Sequence, residues 1–140
     1  MSLPFNITKQ DKLIYLIAEA TITKEHLPAF DEIIQTIEND ATQIHVFDMS
    51  SLQSFDSRCL RPFILAQNAA RSKQNSHVVI IQPEDTTMKK FLLDQAAIRP
   101  KEICPSKRAL PEFLKRKSQE QKTENTDISL SAKKGKKTWE

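Results

Sequence analysis

Strictly spaced apolar positions divide the chain into alternating strand-like and helix-like runs. Phe5 to Lys9 alternates, and Lys12 to Glu19 is almost continuously apolar through Leu13, Ile14, Tyr15, Leu16 and Ile17, which predicts two strands across a turn at Gln10-Asp11. The first reads as an edge and the second as central. Leu27, Phe30, Ile33, Ile34 and Ile37 then recur at helical spacing, with Asp31, Glu32, Gln35 and Glu38 opposite, so a helix is expected to open near Thr23 to Glu25 and to end at Asn39-Asp40. Ile44, Val46 and Phe47 form a short buried strand.

From Asp48 to Ser57 the apolar density drops, which reads as a loop, and Leu60, Phe63, Ile64, Ala66, Ala69 and Ala70 resume a helical face. Pro62 decides where that helix starts. Deep in a helix it would lose a hydrogen bond and clash with the preceding turn, at about 3 kcal/mol or more, so the helix must open near Arg58 to Leu60. Ser57 is thereby placed at its mouth. Gln74-Asn75-Ser76 predicts a turn, His77 to Ile81 a strand buried on both faces, and Pro83-Glu84-Asp85 the start of a helix carrying Met88, Phe91, Leu92 and Ala96. Glu102 to Cys104 predicts a short last strand and Ser106 to Lys117 a last helix.

This β-β-α-β-α-β-α-β-α order predicts an α/β fold, a mixed, mostly parallel sheet of four to five strands with about four helices. Right-handed crossovers would set the 48–57 loop along the carboxyl edge of the sheet, where open α/β sheets meet ligands and partners. Residues 1–117 are read as the domain and 118–140 as a tail, because beyond Ser118 only Ile128, Leu130 and Trp139 interrupt polar residues. Too little apolar surface remains there to offset ordering entropy, so disorder is expected.

Charge changes the picture only in the tail. The chain carries 21 Lys/Arg and 18 Asp/Glu, a formal +3, but residues 115–140 hold eight of the bases and four of the acids. The body is close to neutral, which argues against a nucleic-acid-binding face on the domain. The cluster Lys133-Lys134-Gly135-Lys136-Lys137 with Trp139 reads as a solvated tail, with acidic lipid or nucleic acid as the alternative. No run of 18 apolar residues occurs and the first ten residues lack the features of a secretory signal, so a cytoplasmic protein without membrane insertion is expected. Gly135 is the single glycine, which excludes a Gly-rich phosphate loop in the body. Cys59 and Cys104 match no disulfide or metal spacing and are expected reduced; His26, His45 and His77 show no ligand spacing and read as satisfied structural imidazoles. Neither metal nor cofactor is expected.

The run Ile44, Val46, Asp48-Met49-Ser50, Leu52, Phe55, Asp56-Ser57, Leu60 resembles the signature of STAS domains, the family named for sulfate transporters and anti-sigma-factor antagonists. The likeness is specific between about 44 and 64 and extends as an order of elements from about 5 to 114. It implies a small α/β fold without catalytic activity that binds a protein partner. In the bacterial antagonists it implies a serine, here Ser57, that a partner serine kinase phosphorylates and a serine phosphatase restores. A monomer meeting an anti-sigma factor or kinase through Asp48, Ser50, Ser51, Asp56, Arg58, Lys89 and Lys90 is the expectation. The chain departs from the pattern at Arg58-Cys59, where a small residue and Gly usually follow the serine, and at Ala18-Glu19-Ala20-Thr21, where Gly-Glu-Leu-Asp is usual.

Other readings stand beside this one, among them Asp48 as a carboxylate that organises the loop. Asp56 or Ser57 can simply cap the helix. A constitutive adaptor of a transporter or signalling scaffold would need no phosphorylation. Cys59, at a helix mouth that can lower a thiol pKa, is either a reactive thiol or a buried small hydrophobe.

Overall fold

Every strand expected from the apolar pattern forms, and two more appear. The computed structural model describes residues 3–10, 12–41, 43–73 and 76–117. Strands β1 (Phe5–Gln10), β2 (Leu13–Ala18), β4 (Ile44–Asp48), β6 (His77–Ile81) and β7 (Ile103–Cys104) make a five-stranded sheet in the order β1-β2-β4-β6-β7. Only the β1–β2 pair is antiparallel. β3 (Thr21–Ile22) and β5 (Ser54–Phe55) pair in parallel as a separate two-stranded sheet. The expected turn residues Asp11, Gln74 and Asn75 and the tail from 118 lie outside the described residues.

The helices are α1 (Ala29–Asn39), α2 (Leu60–Arg71), α3 (Thr86–Gln95) and α4 (110–117). Helix α1 starts later than expected because Lys24–His26 winds as a 3₁₀ turn, closed by Thr23 N–H donating to His26 Nδ1 at 3.0 Å. Pro28, which lacks an N–H, then stands at the N-cap. Likewise a 3₁₀ turn over Ser57–Cys59 precedes α2, and Pro62 falls in the first turn, where its missing donor costs nothing.

Phe30, Ile33 and Ile37 of α1 and Phe63, Ala66 and Ala70 of α2 bury against one sheet face, where Leu16, Phe47 and Ile80 stand in register. Phe5 anchors this core, its ring 6.0–6.1 Å from those of Phe30, Phe47 and Phe63, at aromatic contact distance. The small Ala66 and Ala70 let α2 approach closely. Half-buried Arg71 ties α2 to the segment after α3, its guanidinium reaching Glu102 at 2.6 and 2.9 Å and Gln67 Oε1 at 2.9 Å.

Two units divide the chain, Met1–Lys107 and Arg108–Glu140. Everything above except α4 belongs to the first. In the second, Phe113 N–H donates to Ala109 O at 3.0 Å, and the Lys117 ammonium stands 5.5 Å from the Phe113 ring centroid.

Candidate functional site

The segment read as a loop is clamped along its whole length. Met49 N–H donates to Ile81 O at 3.0 Å, Glu84 N–H to Ser50 O at 3.1 Å, Gln53 N–H to Ala20 O at 2.7 Å and Asp56 N–H to Ile22 O at 2.9 Å. Met49, Leu52 and Phe55 fill the core beneath, and the Phe55 ring meets Phe63 of α2 at 5.8 Å and Phe91 of α3 at 6.0 Å. The segment is thus held to β3, β6, α2 and α3 together.

Asp48, at the carboxyl end of β4, is buried at 1% exposure and organises the turn that follows. Its Oδ1 accepts from Ser50 N–H at 3.0 Å and from Ser50 Oγ at 2.6 Å. Its Oδ2 has Lys107 Nζ at 3.3 Å, an ion pair that lacks hydrogen-bond alignment, so this oxygen is buried without a hydrogen bond. Asp48 was expected either to organise the loop or to meet a partner, and Ser50 to meet a partner; both are buried, and Asp48 organises the turn from inside. Lys107 was missed because nothing near it in sequence connects it to β4. Burial, and after it the charge of Asp48, raises the Tyr15 phenol above its ordinary pKa.

The outward chemistry gathers at the mouth of α2. Asp56 caps the 3₁₀ turn that leads into α2, its Oδ1 accepting from Arg58 N–H at 2.9 Å, while Cys59, at the N-cap of α2 itself, makes no side-chain capping bond. The Arg58 guanidinium folds back onto the same carboxylate, Nε to Oδ1 at 3.0 Å and Nη2 to Oδ2 at 2.9 Å, a fork-on-fork pair. That hydrogen bonding holds the Asp56 carboxyl below, and the Arg58 guanidinium above, their ordinary pKa values. Ser57, between them, is exposed, as are Ser51 and Arg58. On α3, Lys90 is exposed and Lys89 half-buried.

Cys59 does not have the character of a reactive thiol. It is fully buried, its Sγ donates to Thr23 O at 3.3 Å, and burial together with the nearby Asp56 charge pushes its pKa up rather than down. Among the described residues no group of three or more His, Cys, Asp and Glu could hold a metal ion, and no helix is long and apolar enough to cross a membrane.

His45 departs from expectation. Buried at the amino half of β4, it has no hydrogen-bond partner at either ring nitrogen, and burial, then the charge of Lys73, lowers its pKa to about 4. No protein-family model and no curated protein matches this chain.

Proposed function

We propose that this chain is a STAS-like protein-binding module, an anti-sigma-factor antagonist of a cytoplasmic bacterial partner-switching pathway, with no catalysis of its own. The observation carrying the reading is Ser57: an exposed hydroxyl at the mouth of α2, directly after the capping Asp56, on a segment braced from four sides. A kinase transfers the γ-phosphoryl of ATP to this hydroxyl, adding a charge of about −1.5 to −2. Helix amides and dipole stabilise an anion there by roughly 0.3 to 1 kcal/mol, so the fold persists. The partner meets altered charge, and Arg58 is drawn between Asp56 and the phosphoryl group. The partner face comprises Ser51, Asp56, Ser57 and Arg58, with Lys89 and Lys90 from α3, and a serine phosphatase restores it.

Mass spectrometry tests the site. With ATP and a serine kinase of the partner-switching class, the full chain gains one phosphoryl group and Ser57→Ala gains none. A modification that persists in Ser57→Ala overturns the assignment.

The closed Asp56–Arg58 fork favours a second reading, a constitutive adaptor of a transporter or signalling scaffold, since it fixes charge at the helix mouth without phosphorylation. Co-purification of a transporter ATPase subunit with the tagged chain would support that reading against the first.

A further inference from the structure

Beside Asp48, on strands β1 and β2, lies a cavity of about 350 Å³ bounded by Thr8, Gln10, Tyr15, Ile17, Asp48 and Lys107. Its size suits a small molecule. Of these six residues only Asp48 and Lys107 carry charge. The buried Asp48 Oδ2 makes no hydrogen bond there, an uncommon and costly condition for a carboxylate oxygen. Lys107 covers it from the solvent side, its own side chain 58% exposed. The ammonium can therefore swing aside.

We propose that this cavity binds a small zwitterion of the free amino-acid class, its ammonium on Asp48 Oδ2 and its carboxylate on Lys107. Charge balance selects that class. A simple anion would be repelled by Asp48 and a simple cation by Lys107. A zwitterion takes Lys107's place at the buried oxygen and keeps Lys107 engaged through its own carboxylate. The Thr8 hydroxyl and Gln10 amide supply further polar contacts, while Ile17 and the Tyr15 ring form a wall for a small apolar side chain. Because Asp48 holds Ser50 with its other oxygen, occupancy is transmitted to the turn that begins the switch segment. The cavity stands independently of phosphorylation, so its test leaves the Ser57 assignment untouched.

The experiment titrates the unmodified full chain with glycine, L-alanine, L-serine and L-valine, following amide resonances by NMR. Expected is saturable binding of at least one of them at about 1 mM or tighter, with the Ser50 amide signal shifting along the same isotherm. The N-acetyl and methyl-ester derivatives, each missing one charge, bind at least about tenfold more weakly, as does the parent ligand to Lys107→Ala. Lys107→Ala takes the ion-pair partner from the buried Asp48, so its fold is first checked by circular dichroism, and the singly charged derivatives test charge recognition on the parent chain. Absence of saturable binding by all four, equal binding of a singly charged derivative, undiminished binding to Lys107→Ala, or an unmoved Ser50 amide each overturns the proposal.

Discussion

Strand β4 buries a polar side chain at each end, and the two ends differ in how those side chains are answered. At the carboxyl end Asp48 has Ser50 twice on one oxygen and Lys107 beside the other. Near the amino end His45 lies between Ile14 and Val78 in register, with no partner for either nitrogen. Lys73 is close but engaged, donating to Ile37 O at 2.7 Å and to Asp40 O, and so closing the carboxyl end of α1. Asp40 is in turn paired with Lys9. The same strand thus spends its buried polarity on shape at one end and leaves it unspent at the other. The organised end holds the segment after β4 still; the other is where acid attacks the fold.

Replacing Asp48 breaks the comparison most severely. Asp48→Leu removes the acceptor for Ser50 N–H and Oγ and leaves both buried donors unpaired, and a cost of about 2 to 4 kcal/mol is expected. Urea unfolding at pH 7 measures it. Asp48→Asn keeps an acceptor for Ser50 and should lose less than half as much. If Asp48→Leu is neutral, the two ends of β4 do not differ in the way described.

The opposite end is probed with His45→Leu. His45 is neutral in the fold, with a pKa of about 4 against about 6.5 unfolded. As pH falls below about 6.5 the unfolded chain takes up a proton that the native chain refuses, so stability declines between roughly pH 6.5 and 4. The loss attributable to this ring approaches about 3 kcal/mol at the lower limit. His45→Leu should therefore flatten that part of the stability curve relative to the parent protein. Parallel curves for the two proteins would show that His45 finds a partner in the folded state.

These ends were unequally legible in the sequence. The sheet could be read because HVVII and LIYLI declare buried strands locally, and Pro62 fixed the mouth of α2 through a steric rule that needs no tertiary knowledge. That placement left Asp56 and Ser57 as equal candidates for a cap, and Asp56 takes the role on the 3₁₀ turn before α2. By contrast, β3 and β5 are two residues each, too short to express a period, and they exist only because the chain brings Thr21–Ile22 beside Ser54–Phe55. The Asp48–Lys107 pair leaves no local signal for the same reason. His45 misled because a histidine in an apolar run says that it is buried without saying whether anything meets its nitrogens.

The Asp56–Arg58 fork offers the smallest effect and the sharpest contrast with Asp48, since it is a carboxylate answered at the surface rather than in the interior. Its side chains are 21% and 61% exposed. Exposed ion pairs contribute little, so Arg58→Ala should leave stability nearly unchanged while Asp56 keeps its cap through the residue 58 amide. Loss of the guanidinium should raise the Asp56 carboxyl pKa, because Arg58's side-chain hydrogen bonds are the leading cause of its depression. Carboxyl-carbon NMR titration reads this directly, with the Asp56 inflection moving upward in Arg58→Ala. An unmoved inflection would mean that the fork does not persist in solution, and Arg58 would then be free to meet a phosphoryl group on Ser57 without first leaving Asp56.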